Sequence, residues 1–273
     1  MTDVQARALR TASDLVGREL SLVDVFTGGQ HAITLLATDG DSEFVVRAFP
    51  AHHDAAIREA EVLGRLSTLG AWAPHLVAAN DDLADPVIVT SRVFGSAPGP
   101  DLSPMVIAAE MAAALVRIHD LGGHGLRPTP GEPPGGESAL AARARREWAS
   151  LDMRDPVLIH SDFWCGNALW EGGRLTGVVD WSGARSGPRG VDVAWCRQDL
   201  VLLGSPEAAR LFIEEYERLW GDSIDDIDAW DVQAAARAHD RVETWLPNYV
   251  GIGRTDMTAQ LLRERLDSWN ATL

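Results

Sequence analysis

Between Leu20 and Pro50 the apolar residues fall in short runs, LSLVDVFT, HAITLLAT and EFVVRAF, separated by the breaks GGQ and DGDS. Runs this short, rich in Val, Ile, Thr and Phe and broken at glycine and aspartate, predict three antiparallel strands joined by tight turns. The period then changes. In HDAAIREAEVLGRLSTLG, residues 53–70, the apolar side chains Ile57, Leu63, Leu66 and Leu69 recur at helical spacing and Gly70 supplies a stop, which predicts a helix. PVIVTSRVFG, residues 86–95, reads as a buried strand that runs out into a Gly/Pro-rich stretch from Gly95 to Pro100.

Past that stretch the pattern turns mainly helical. SPMVIAAEMAAALVRIHDLG opens with Ser103–Pro104, suited to a cap and a first turn, and continues on alanine and leucine. RPTPGEPPGG, residues 127–136, is a loop by composition, and VLI at 157–159 and RLTGVVDW at 174–181 are short strands. Further helices are expected from about residues 191, 206, 228 and 256. The sequence shows no internal repeat. The expected organisation is a β-rich N-terminal lobe, residues 1–94, followed by a helical lobe, residues 95–273.

Composition removes several function classes. The 40 acids against 24 bases give a net charge of -16, which argues against nucleic acid or an anionic membrane as main partner. A cationic ligand suits that charge, and so does plain solubility. No stretch nears the roughly 18 apolar residues of a membrane span, and MTDVQARALR lacks the regions of a signal peptide, so a cytoplasmic protein is expected. Cys165 and Cys196 match no zinc spacing and are expected as reduced thiols. All 24 bases are arginine. The absence of lysine excludes a Walker A loop and Schiff-base chemistry. No G-x-S-x-G elbow occurs, and GIGRTD at 251–256 lacks the third glycine of a dinucleotide fingerprint.

What remains is IHSDFWCGNALW, residues 159–170. It follows a short apolar strand with His160, Asp162 and Asn167, and a second apolar strand ends at Asp180, thirteen positions after Asn167. Asp162 and Asn167 could simply cap a helix or close a turn. They could also do chemistry, with His160, Asp162 and Asp180 as ligands of a hydrolytic metal.

The pattern H-x-D-x-x-x-x-N followed by an aspartate in DW resembles the aminoglycoside phosphotransferase and choline-kinase family, a branch of the protein-kinase-like fold. The resemblance implies an α+β bilobal fold, with a small β-rich N-terminal lobe and a larger helical C-terminal lobe. It implies ATP or GTP as donor and Mg2+ as metal. Asp162 would be the base that takes the acceptor's proton, Asn167 and Asp180 the metal ligands, and His160 and Asp192 supports of the catalytic loop. In the N-terminal half, Gly28 and Gly29 would bring backbone amides to phosphate, Glu59 would hold the phosphate-binding base, and Ser91 and Val93 would offer backbone groups to the nucleotide base. A glycine hairpin, a solvated helix face and an apolar core strand are the plainer accounts of these three segments. One departure stands out: Arg47 occupies the third-strand position where the family carries lysine, a swap that keeps the charge but not the shape. It leaves open a non-catalytic nucleotide- or ligand-binding protein on the same fold. His31 in GGQHA is a second departure.

The acceptor is expected from charge. EEYERLWGDSIDDIDAWD, residues 214–231, holds eight acids against Arg218 alone. In the resembling family, acids of the C-terminal lobe meet cationic acceptors such as aminoglycosides or choline. That makes Glu214, Asp225 and Asp226 candidate substrate residues, with antibiotic resistance one use and amino-alcohol or sugar metabolism another. The same acids could equally form a solvated face. Trp220, Trp230 and Trp245 could wall an amine pocket or fill helical core.

Overall fold

The computed structural model describes residues 1–26, 32–129 and 132–273 and resolves into two compact units. The first comprises Met1–Gly95 and Thr176–Gly183, the second Ser96–Leu175 and Ala184–Leu273. Gly28, Gly29 and His31 lie outside the described residues.

The first unit opens with helix α1 (Asp3–Val16), which the residue pattern left unread. Its start is a reciprocal cap: Thr2 accepts from the Gln5 backbone while the Gln5 side chain accepts from the Thr2 backbone. Strands β1 (Ser21–Phe26), β2 (Ile33–Thr38) and β3 (Glu43–Ala48) form the expected antiparallel meander. Helix α2 (Ala55–Leu63) is shorter than predicted, because the chain turns at Gly64 and continues as a 3-10 segment, Leu66–Trp72, in which Gly70 takes φ 58°. An unpredicted short strand, β4 (Leu76–Ala79), precedes β5 (Val87–Ser91). The sheet order is β1-β2-β3-β5-β4, every pair antiparallel. One face packs on α1 through Leu35, Ala37, Phe44, Val46, Val87 and Val89 against Ala8 and Ala12.

The second unit begins with α3 (Pro104–His119), capped by Ser103 with Pro104 in the first turn as the sequence indicates. Then come α4 (Ala139–Glu147), β6 (Val157–Ile159), β7 (Ala168–Glu171), β8 (Arg174–Val178) and β9 (Arg185–Gly187). Strand β8 carries the chain from the second unit into the first. The helices α5 (Gly190–Leu202), α6 (Pro206–Trp220), α7 (Ile227–His239), α8 (Leu246–Gly251) and α9 (Ala259–Asn270) complete it. Strands β6 and β9 pair antiparallel, Ile159 opposite Arg185. Cys165 and Cys196 are free and buried, and burial pushes both thiols well up, away from reactivity. Among the described residues no helix is long and apolar enough to cross a membrane.

Candidate active site

In the first unit the chemistry follows from strand alternation. Phe44, Val46 and Ala48 face the α1 side of β3, so Arg47 must point to the other face, toward α2. There α2 buries Ala55, Ala56, Glu59, Val62 and Leu63, a single helical stripe in which Glu59 is the one charged member. The solvated-face account of Glu59 is therefore wrong: its side chain is 2% exposed. Arg47 Nη1 donates to both Glu59 oxygens, at 2.5 and 2.6 Å, and Nη2 donates to Asp180 Oδ1 at 2.7 Å. Burial pushes the Glu59 carboxyl up to about 7 against the pull of Arg47, while the two carboxylates push the Arg47 guanidinium up despite its burial.

Asp180 is held in the left-handed region, φ 62°, where a non-glycine residue is strained. The turn that imposes this is pinned by Trp181 Nε1 donating to Val178 O at 2.9 Å, and Ser182 Oγ donates to Asp180 Oδ1 at 2.9 Å. The Asp180 side chain remains 39% exposed. Ser91 fits its expected role less well, since its backbone N–H already donates to His75 O at 2.9 Å. Val93 is buried, its side chain lying over Gly177, where a Cβ would come within 2.4 Å of Val93 Cγ1.

In the second unit β6 delivers the chain into a loop held by two carboxylates of α5. Asp192, fully buried, accepts from the backbone N–H of His160 at 2.6 Å and of Ser161 at 2.7 Å. His119 Nε2 lies 3.4 Å from the same carboxylate, and burial holds the His119 imidazole below its usual pKa. Two turns further along α5, Asp199 accepts from Cys165 N at 3.0 Å and from Tyr249 Oη at 2.9 Å. Between the two braces Ser161 sits at φ 69°, a second strained residue. Asp162 is thereby presented with its carboxylate fixed at both oxygens: Trp195 Nε1 donates to Oδ1 at 3.1 Å and Asn167 Nδ2 to Oδ2 at 3.1 Å. Asn167 Nδ2 also donates to the Asp162 carbonyl at 2.9 Å. The amide nitrogen is thus spent within the loop, and the remaining polar atom of Asn167 is an oxygen. His160 is fully buried beside Phe163, a packing position.

The acids expected around the acceptor are differently engaged. Glu214 pairs with Arg210 on the exposed side of α6, Asp225 accepts from Ser223 Oγ, and Asp226 accepts from the Asp152 backbone. Trp230 is buried core and Trp220 lies under Arg189 at 4.4 Å, whereas Trp245 stands edge-on to Trp195 at 5.4 Å. Asp199 and Trp195 escaped the residue pattern. The available signal was their spacing from Asp192, three and seven positions along α5, which returns both to the side of Asp192.

Asn167 in the second unit and Asp180 in the first each carry a side-chain oxygen of the kind that magnesium accepts. Among the described residues no three His, Cys, Asp or Glu side chains gather as a metal cluster.

A family model described as "Phosphotransferase enzyme family" matches residues 23–235. No curated protein matches the chain. Among solved structures, aminoglycoside phosphotransferase APH(4)-Ia is 18% identical, with 97% of each chain covered and a TM-score of 0.66. A thermostable mutant of that enzyme, in ternary complex with AMP-PNP and hygromycin B, is 18% identical over 95% of this chain and 96% of that one, with a TM-score of 0.64. Spectinomycin phosphotransferase APH(9)-Ia, in complex with ADP and spectinomycin, is 13% identical over 96% of this chain and 93% of that one, with a TM-score of 0.60. At these identities the structures share the kinase-like fold.

Proposed function

Because this chain belongs to the phosphotransferase enzyme family, we propose that it moves the terminal phosphoryl group of ATP or GTP to a hydroxyl of a small molecule, with Asp162 as the base. The hydroxyl oxygen forms the new P–O bond as the bond to the nucleoside diphosphate breaks, and the hydroxyl proton passes to the Asp162 carboxylate. Magnesium, held through Asn167 and Asp180, would neutralise charge on the phosphates. Arg47 contacts the phosphates and is kept in place by Glu59. The arginine at this position supports retained function: its fork reaches Glu59 and Asp180 at once, which a lysine ammonium could not do with the same geometry.

The single observation that carries this reading is the hold on Asp162. A carboxylate that merely closed a turn would need no indole and no amide on its two oxygens, nor a loop braced twice by buried aspartates.

For the acceptor, the net charge of -16 favours a cation such as an aminoglycoside-type amine or an amino alcohol at long range. Close contacts give that class less support, because Glu214, Asp225 and Asp226 already have partners. The test is transfer of radiolabelled terminal phosphate from ATP and from GTP to a panel of hydroxylated acceptors, run with and without magnesium. Label should appear in an acceptor only with the metal present; nucleotide binding without transfer to any acceptor would favour the non-catalytic alternative.

A further inference from the structure

In the second unit a groove of about 440 Å³ opens beside the catalytic loop, its walls including Ser161, Arg185, Arg237 and Arg241 together with the acids Glu132 and Asp240. Ser161 directly precedes Asp162. Arg185, opposite Ile159 in the β6–β9 ladder, donates from Nε to Ser161 Oγ at 2.9 Å. The loop forming another wall is tied to β9, with Thr129 N donating to Ser186 O at 2.7 Å and Ser186 N to Arg127 O at 2.8 Å. The groove is therefore built from the same two strands that deliver the catalytic aspartate.

Its charge runs against the rest of the chain. With 40 acids to 24 bases, an arginine here has carboxylates to spare, and Arg197, Arg254 and Arg263 of this unit each bind one. Among the described residues Arg237 and Arg241 form no ion pair. Arg241 Nε donates to the Arg237 carbonyl at 3.1 Å, which leaves its outer nitrogens for another acceptor. Of the two acids in the walls, Asp240 is 66% exposed and accepts from His239 at 2.8 Å. Burial and the like charges of Arg185 and Arg241 hold the Arg237 guanidinium below its usual pKa. Two guanidinium groups, Arg237 and Arg241, kept together at a cost in a molecule rich in acids, are arranged for an anion that is not part of the chain.

A chain of contacts joins this cluster to the reacting centre. Arg241 lies over the Trp245 ring at 5.6 Å, Trp245 meets Trp195 edge-on at 5.4 Å, and Trp195 Nε1 donates to Asp162 Oδ1. We propose that the groove recognises an anionic substituent, a carboxylate or a phosphate, on the acceptor, gripped by Arg237 and Arg241 with Arg185 beside Ser161 while a hydroxyl of the same molecule is presented to Asp162. The planar forks of arginine suit the paired oxygens of either group. This rests on the assignment of Asp162 as base and narrows the acceptor to hydroxylated acids, in place of the amines that net charge alone suggests.

Four probes of one size separate the possibilities: gluconate, glucose 6-phosphate, glucitol and glucosamine. Binding is read by calorimetry on the full chain, with the tryptophan fluorescence as a second readout because Trp245 lies against the groove residue Arg241. Gluconate or glucose 6-phosphate should bind more tightly than glucitol or glucosamine, and whichever binds better identifies carboxylate or phosphate as the group recognised. Arg237→Gln with Arg241→Gln should weaken anion binding about ten- to a hundred-fold, the effect of losing charged hydrogen bonds. Because it relieves like-charge repulsion, Arg237→Gln should leave Tm unchanged or raise it; a lowered Tm would make Arg237 a structural residue and overturn the proposal. So would preferential binding of glucosamine, absence of binding by both anions, or anion binding indifferent to the double substitution. Phosphoryl transfer that survives in Asp162→Ala would overturn the catalytic assignment instead, and would leave the anion-binding result standing.

Discussion

At Arg47 one side chain joins a buried glutamate to a strained aspartate, and its substitution separates charge from shape. Arg47→Ala strands Glu59 without its counter-charge, which should cost about 3–5 kcal/mol of stability and be visible as a lower midpoint in urea unfolding. Arg47→Lys keeps the charge but can no longer grip Glu59 and Asp180 together, so it should fold, bind nucleotide more weakly than the parent and more tightly than Arg47→Ala, as calorimetry would measure. Lysine matching the parent would mean that the Asp180 bridge contributes nothing. The residues carrying the spacing H-x-D-x-x-x-x-N were legible in the sequence because their separation is fixed along one loop. Glu59 was legible only through family resemblance, since a lone glutamate among alanines gives no sign that its helix face is the buried one. Arg237 and Arg241 gave no local signal at all; what marks them is that among the described residues neither forms an ion pair although Asp240 lies beside them, and pairing is a property of the fold.

Helix α5 does more than fill space. Asp192 and Asp199, two turns apart, accept four hydrogen bonds from the loop and from Tyr249, three of them fully buried. Removing Asp199 with alanine leaves the Cys165 N–H and the Tyr249 hydroxyl without acceptors, an expected loss of about 2–4 kcal/mol that thermal unfolding would detect. Asp199→Asn keeps an oxygen for one of them and should recover a good part of that loss. A neutral outcome for Asp199→Ala would show that water replaces the carboxylate and that the loop is not braced there. Strands with β-branched runs and helices with clear caps, such as α3, were readable from residues 20–50 and 103–122. Helix α1 was not, because it carries four charged residues among fourteen and its fully buried residues are both alanine, yet its capping box was present in the first five residues. Strand β4 is four residues long and pairs only through β5, so no local pattern could announce it.

For the molecule as a whole the net charge of -16 opposes every anionic substrate at long range, while the arginines act at short range. Raising ionic strength should therefore speed association of the magnesium nucleotide in stopped-flow measurements, and a rate that falls with salt would point to a locally positive approach path that outweighs the net charge. The change from a strand-rich to a helix-rich half was evident near Gly95. The assignment of residues 176–183 to the first unit was not, since their pattern is that of any short strand and turn, and contacts such as Asp180 with Arg47 and Gly177 with Val93 reveal where they belong.

The central claim is that this chain is a catalyst whose base is Asp162, and single-turnover transfer of radiolabelled phosphate tests it most directly. With an acceptor that the parent protein phosphorylates, Asp162→Asn should bind magnesium nucleotide with near-parent affinity while transfer slows by about 10²-fold or more. Transfer at the parent rate in Asp162→Asn, with nucleotide affinity intact, would contradict it.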